Sequence, residues 1–183
     1  MSIFYFDQKL KEYEDNFNWD QALIYLEDVY KKTRNIKVIN SLIGFSWYYF
    51  IEGGVESQKY SKDCCERGLM TWKKYIDIGI QEYYNDPSFN FICGYTLFLH
   101  GFFINVEYEK MGMMFMKNCL KLSNGTIKLL ANYFLKNTSK RKYVVLENNV
   151  EICEDLFDGN SLLERYFFEI YSPEKCEKVN RKI

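Results

Sequence analysis

Apolar residues recur along much of this chain at the three- and four-residue spacing of amphipathic helices. Ala22, Leu26, Val29 and Tyr30 follow the i, i+4, i+7, i+8 pattern of a helical face that turns towards a core. Alternating runs of Val, Ile and Thr, which favour strands, are hard to find, and only two prolines occur among the 183 residues. The pattern therefore predicts an all-α fold.

Polar and glycine-containing breaks divide this pattern into eight or nine predicted helices. Their expected spans are 3–14, 19–30, 36–52, 59–84, 88–104, 108–120, 126–137, 141–157 and 161–172. Gly53-Gly54 is expected to end the third helix, and Pro87 suits the first turn of the fifth. Residues 143–146 are compatible with a helix or with a short strand. We expect one domain over residues 1–173 and a polar tail over 174–183.

One motif occurs twice, 50 residues apart, in two of the predicted helices. Residues 42–50 and 92–100 each place an apolar pair before a glycine, and an aromatic and a hydroxyl residue after it. Internal similarity of this kind is typical of stacked helical hairpins, which usually bind other macromolecules. We expect the glycines, Gly44 and Gly94, to mark points where two helices cross closely.

Residues 19–30 and 108–120 resemble the second helix of a tetratricopeptide hairpin, in which a bulky residue precedes a small one at the helix crossing. Ala22 and Gly112 are the small residues, and the two motif glycines stand where the first helix of such a hairpin has its glycine. The spacing of 50 residues departs from the usual repeat of about 34, and no proline ends the repeat. The resemblance implies stacked antiparallel hairpins of the tetratricopeptide or α-solenoid kind.

Composition indicates a globular protein of a reducing compartment. The 16 Tyr, 15 Phe and 3 Trp supply large side chains for a core and for interfaces. The six cysteines show no C-x-x-C spacing and residues 1–7 lack the features of a signal peptide, so we expect a cytoplasmic protein with free thiols. Residues 87–106 are uncharged, but their polar side chains and the lack of a basic flank favour a buried helix over a membrane span.

Candidate catalytic chemistry is sparse. His100 is the only histidine, which excludes metal sites that need several imidazoles. Cys93 precedes it by two helical turns, roughly 10 Å of rise, which is too far for a direct hydrogen bond. Glu12, Glu14, Asp15, Asp20 and Glu27 lie on faces expected to be solvated. No phosphate-binding loop or zinc-protease motif occurs, so we expect no catalytic residues, no cofactor and no metal. The methionines of residues 111–116 are expected to face the core, an adaptable binding surface being the alternative.

The net charge is −1, from 24 bases and 25 acids, so no overall basic excess points to nucleic acid. One segment breaks the even mixing of charge, because every charged residue between Tyr143 and Arg165 is acidic. Four of its carboxylates, at i, i+4, i+8 and i+11 counted from Glu147, would align on one face of a helix. Such like charges cost roughly 0.2–0.5 kcal/mol per i, i+4 pair, and a basic partner would explain why the chain carries them. An ordinary solvated face, partly neutralised by the bases of residues 140–142, is the alternative. The candidate partner-binding residues are Glu147, Glu151, Glu154, Asp155 and Asp158.

A small, all-helical chain rich in Asn, Lys, Tyr and Phe, without a catalytic set, resembles the immunity proteins of bacterial contact-dependent growth inhibition systems. The resemblance implies a cytoplasmic protein that binds a cognate toxin domain and occludes its active site. The acidic run favours a basic toxin domain such as a nuclease, with no direct nucleic-acid partner and no membrane partner. Two alternatives stay open: a tetratricopeptide-like adaptor for an extended peptide and, more remotely, an uncharacterised enzyme.

Overall fold

The computed structural model describes residues 2–56, 62–140, 156–157 and 160–171. These residues form eight α-helices and a 3-10 turn at Gly101–Phe103, and they contain no strand. The helices are α1 (Gln8–Asp15), α2 (Trp19–Thr33), α3 (Ile36–Glu56), α4 (Lys62–Glu82), α5 (Pro87–His100), α6 (Val106–Leu122), α7 (Thr126–Lys140) and α8 (Leu162–Tyr171). The all-α prediction is confirmed. Residues 143–146, most of the predicted helix at 141–157 and the tail at 174–183 lie outside the described residues.

The first helix begins five residues later than predicted. Asp7 accepts a hydrogen bond from the Leu10 amide at 2.8 Å and caps the helix at its N-terminus. Ile3 and Phe4 precede this cap and are buried in the core. The apolar residues at this point are therefore spaced as they are because a non-helical segment is buried, and not because a first helical turn forms there.

Two predicted helix boundaries have opposite outcomes. The Gly53-Gly54 pair does not end α3, because the helix runs on to Glu56. The prediction for α5 is confirmed, since Asp86 accepts hydrogen bonds from the amides two and three residues further on, and Pro87 holds the first helical position. Glycine lowers helix stability by about 1 kcal/mol relative to alanine, which packing along the rest of a long helix can offset.

Helices that are adjacent in sequence pack as antiparallel hairpins. The pair α5 and α6 is the most extensive, and α3 and α4 form the second. α3 also packs against α2 and α5, so it joins the two hairpins, while α7 packs on α6 and α5. The described helices thus form stacked hairpins, as the repeated motif predicted.

Glycines allow α5 and α6 to cross closely. A Cβ atom on Gly94 would come within 2.8 Å of the Met116 amide nitrogen, and one on Gly112 would collide with the backbone of Phe98. No side chain fits between the two helices at these points. The predicted roles of Gly94 and Gly112 in a tight crossing are confirmed.

The first hairpin is built differently. Gly44 is buried as expected, but a Cβ atom there would meet the Leu163 side chain at 2.9 Å and the Phe4 ring at 3.4 Å rather than another helix backbone. The close approach of α3 and α4 lies at Gly68, where a Cβ atom would stand 3.2 Å from the Phe50 amide nitrogen. The two motif copies therefore use their glycines in different ways.

The repeat extends beyond the motif to a pair of buried asparagines. Asn40 of α3 and Asn90 of α5 are 50 residues apart, and both are fully buried. The Asn40 amide donates to the Ile3 carbonyl at 3.0 Å and to the Ser88 hydroxyl at 2.9 Å. The Asn90 amide donates to the Tyr84 carbonyl at 2.6 Å. Each asparagine therefore ties the first turns of its helix to non-helical backbone.

An aromatic cluster attaches α8 to the rest of the core. The fully buried Phe167 ring of α8 lies 4.9 Å from Tyr95, 5.4 Å from Phe157 and 5.6 Å from Phe4, measured between ring centroids. These rings come from the N-terminal segment, α5 and the C-terminal part of the chain. The cluster closes the stack by joining its first and last described segments.

Candidate functional site

The predicted acidic residues, Glu147, Glu151, Glu154, Asp155 and Asp158, lie outside the described residues, and their role stays a prediction. Leu156 and Phe157 stand between the last two in the sequence, and both are buried. The Phe157 ring is 6.2 Å from Phe4 and 5.4 Å from Phe167. The chain is therefore anchored to the core at a point within the acidic run.

The sixth carboxylate of this run has a structural role. Glu164 is fully buried and accepts hydrogen bonds from the amides of Asn160 (3.1 Å) and Ser161 (3.3 Å). Its own amide donates to the Ser161 hydroxyl at 3.2 Å. This reciprocal pairing is a capping box at the N-terminus of α8. Glu164 is consequently not available to a partner.

A second buried carboxylate holds the same helix end. Glu14 of α1 accepts a hydrogen bond at 2.9 Å from the amide of Leu162, the first residue of α8. Burial raises the pKa of Glu14 to about 7, although the Leu162 amide and the Arg165 charge act in the opposite direction. The expectation that Glu14 lies on a solvated face was wrong, because its exposed fraction is 5%. Sequence gave no signal for this contact, which joins residues 148 positions apart.

Among the described side chains, three ion pairs connect α2 and its C-cap to α4. They are Asp20–Arg67 at 3.2 Å, Glu27–Lys74 at 2.7 Å and Arg34–Glu82 at 2.7 Å. The partners succeed each other every seven residues on α2 and every seven or eight on α4, in the same order. The two helices therefore run parallel, as alternate helices of a stacked array do, and α3 connects them.

A tyrosine hydroxyl accompanies each of these ion pairs. Tyr49 donates to Asp20 at 3.2 Å, Tyr75 to Glu27 at 3.1 Å and Tyr30 to Glu82 at 2.6 Å. Burial and the adjacent carboxylate raise the pKa of Tyr30 and of Tyr75, so both phenols stay protonated and donate. Each carboxylate thus has both a cation and a hydroxyl partner. This surface is held together by its own side chains, and its carboxylates are not arranged as an acid–base pair.

His100 packs at the end of α5 as an aromatic neighbour. Its Nδ1 atom accepts a hydrogen bond from the Trp47 indole at 3.1 Å, and its ring lies 6.1 Å from Phe103. Burial lowers the pKa of His100, which keeps the ring neutral and able to accept. Cys93 is fully buried, and burial raises the pKa of its thiol well above the usual value. These environments stabilise the uncharged forms, the opposite of what a thiolate–imidazolium pair requires.

Sequence reasoning missed a surface on the outer side of α6. Lys110, Lys117 and Lys121 are exposed there, and Met114 is 40% exposed beside them. The expectation that the methionines face the core holds for the fully buried Met116 but not for Met114. The basic residues that begin at Lys110 are present in the sequence, but the overall net charge does not indicate them, because acidic residues elsewhere balance them.

The described residues offer no group of three or more His, Cys, Asp or Glu side chains that could hold a metal ion. A small void lined by Tyr5, Glu14, Ser161 and neighbouring side chains has no room for a water molecule. Within the described ranges, no helix combines the length and the apolar character needed to cross a membrane.

No protein-family model, curated protein or solved structure matches this chain. Among the described residues, exposed surfaces are therefore the basis for a functional proposal.

Proposed function

We propose that this chain is an immunity-type binding protein that neutralises a cognate, basic toxin domain by covering its active site. The observation that carries the proposal is the acidic run between Tyr143 and Arg165, which contains no base and in which every carboxylate except the buried Glu164 is a candidate for the contact. A nuclease must present a basic cleft to the phosphates of its substrate. Carboxylates on an inhibitor can occupy such a cleft in place of the phosphates and can speed the encounter.

The described structure supports this proposal in two ways. Buried Leu156 and Phe157, which stand between Asp155 and Asp158 in the sequence, fix the chain to a packed aromatic core at that point. Three carboxylates of α2 and α4, Asp20, Glu27 and Glu82, already have an ion-pair partner and a tyrosine hydroxyl. They are therefore poorer candidates for binding a basic partner than the acidic run, which contains no base.

The alternative of a tetratricopeptide-like adaptor receives less support. In such proteins an extended peptide lies along a concave surface between parallel helices. Here the parallel helices α2 and α4 are bridged by the Asp20–Arg67, Glu27–Lys74 and Arg34–Glu82 pairs. A folded toxin domain, which binds an outer surface, does not require these bridges to open.

The test uses the toxin domain encoded by the gene adjacent to that of this chain. Its cleavage of RNA and DNA is titrated with the wild-type chain and with the double variant Glu151→Lys/Asp155→Lys. We expect the wild type to abolish cleavage at a stoichiometric ratio. The variant should bind at least about 100-fold more weakly, because truncating or reversing interface charges commonly costs several kcal/mol.

A matched control carries the same change in charge elsewhere on the surface. Glu12→Lys/Asp28→Lys alters two exposed carboxylates of α1 and α2 and should inhibit like the wild type. Melting temperatures establish that all the variants fold. Wild-type inhibition by folded Glu151→Lys/Asp155→Lys would refute the role of the acidic run, and an adjacent gene that encodes no toxin would count against the proposal as a whole.

A further inference from the structure

The outer side of α6 carries three exposed lysines, and no acidic residue follows the first of them in the sequence until Glu147. Starting at Lys110, eight successive charged residues of the sequence are all basic. Lys110, Lys117 and Lys121 share one side of α6 through their i, i+7, i+11 spacing, about half a turn away from Gly112, which faces α5. Where the structure describes the chain, none of these three lysines forms an ion pair.

Large apolar side chains are exposed at the same helix. Phe102 and Phe103, just before α6, are 51% and 48% exposed, and their rings lie 4.3 Å apart. Val106 is 61% exposed, and Met114 lies two turns further along the lysine side. We call this surface the α6 outer face; it consists of Phe102, Val106, Lys110, Met114, Lys117 and Lys121, with the exposed Glu107 beside Lys110 at its first turn. Phe103 is not part of it, because its ring packs 5.1 Å from Phe50 of α3.

The composition of the α6 outer face discriminates among anionic partners. The cores of protein interfaces are depleted in lysine and enriched in Arg, Tyr and Trp, none of which occurs on this face. Against nucleic acid, Val106 and Met114 would face phosphates and sugars, with which they make no hydrogen bond. At a lipid surface, apolar side chains enter the headgroup region, while lysine stems extend along them and place their ammonium groups beside lipid phosphates.

We propose that the α6 outer face docks on an anionic phospholipid surface. Phe102 and Val106 enter the headgroup region, and the three lysines bind the lipid phosphates. This inference goes beyond the proposed toxin binding and uses a different segment of the chain. The expectation of no membrane partner considered whether residues 87–106 span a bilayer, which does not address docking of a basic helix face on a lipid surface.

The test measures sedimentation of the full chain with two kinds of vesicle. One kind is pure phosphatidylcholine, and the other is equal parts of phosphatidylcholine and phosphatidylglycerol. We expect binding to the anionic vesicles alone, and this binding should fall as salt is added. Lys117→Glu/Lys121→Glu should lower the partition coefficient at least about 30-fold, since each lysine near such a surface contributes about one factor of five.

Two further variants separate the contributions of charge and apolar contact. Lys31→Glu/Lys32→Glu makes the same change in charge on exposed positions of α2 and should reduce binding far less. Phe102→Ser/Val106→Ser replaces two exposed apolar side chains that are not needed for the core. It should weaken vesicle binding while leaving retention on a heparin column unchanged, because only the lipid contact depends on apolar insertion.

Several outcomes would overturn the docking proposal. These are equal sedimentation with neutral and anionic vesicles, equal losses from the α2 and α6 lysine variants, and no effect of Phe102→Ser/Val106→Ser. A DNA duplex that binds more tightly than the anionic vesicles, and is lost with Lys117→Glu/Lys121→Glu, would assign the face to nucleic acid instead. Toxin inhibition by the α6 variants should remain at the wild-type level, which keeps this test separate from that of the proposed function.

Discussion

Single side chains in this protein take their roles from neighbours that are distant in sequence. Glu14 and Glu164 both carry carboxylates, yet both are buried and hold the N-terminus of α8. The role of Glu164 had a local signal, the Ser161-x-x-Glu164 pattern of a capping box. Glu14 had none, because its partner is the amide of Leu162 at the other end of the chain.

The pKa of Glu14 predicts a specific dependence of stability on pH. Its folded-state pKa of about 7 lies above the ordinary glutamate pKa of 4.5, so the folded protein holds the proton more tightly than the unfolded chain does. The free energy of unfolding should therefore fall as pH rises from about 4.5 to about 7, by about 3 kcal/mol. Glu14→Gln keeps an oxygen that can accept from the Leu162 amide but does not titrate, so it should remove this loss.

Urea unfolding at about pH 5 and about pH 8 measures the effect. The advantage of Glu14→Gln over the wild type should be small at the lower pH and largest at the higher one. Glu12→Gln removes the charge of an exposed carboxylate on the same helix. It controls for the loss of a charge and should show no such trend. A constant difference between Glu14→Gln and the wild type at both pH values would contradict the assignment.

The spacing of apolar residues predicted where the helices lie, whereas the glycines predicted helix ends and helix crossings only in part. The apolar stripes located the helices, and Pro87 marked the start of α5 because its ring and missing amide suit a first turn. Gly53-Gly54 misled, since α3 continues through both residues. The motif glycines looked equivalent, but only Gly94 faces another helix backbone. Which glycine meets a neighbour depends on the relative position of two helices, which a local pattern does not encode.

The two kinds of glycine contact predict different responses to alanine. A methyl group at Gly112 would collide with the backbone of α5, which cannot shift without separating the helices. Gly112→Ala should therefore destabilise the protein by about 1–3 kcal/mol. Gly44→Ala meets the end of the Leu163 side chain, which can move, and alanine favours the helix by about 1 kcal/mol. Its melting temperature should stay near that of the wild type, and a larger loss for Gly44→Ala than for Gly112→Ala would contradict this account.

The contacts between α2 and α4 predict that hydroxyl groups matter more than exposed cations. Glu27 accepts from Lys74 at 2.7 Å and from the buried Tyr75 at 3.1 Å. Tyr75→Phe removes a hydrogen bond to a charged group and should cost about 1.5–3 kcal/mol. Lys74→Ala breaks a surface ion pair and should cost at most about 1 kcal/mol. Urea unfolding compares the two variants, and the reverse order of costs would show that the ion pair dominates.

Across the whole molecule, charge is segregated in a way that net charge hides. Eight successive bases, beginning at Lys110, are followed by the six carboxylates between Tyr143 and Arg165, and the total of all the charges in the chain is −1. The sequence therefore revealed the all-α stack and the acidic run, but reasoning from the total charge overlooked the α6 outer face. The ion pairs between α2 and α4 could not be predicted from the sequence either, because pairs such as Asp20–Arg67 form only when separate helices lie side by side.

The proposed function requires that the acidic run directs this chain to a basic toxin domain. The most direct measurement is the association rate constant with the toxin domain from the adjacent gene, determined by stopped flow over a range of salt concentrations. We predict a rate for the wild type that falls steeply with salt, and a slower, flatter dependence for Glu151→Lys/Asp155→Lys. A rate that is independent of salt, or identical salt dependences for the two proteins, would contradict the claim.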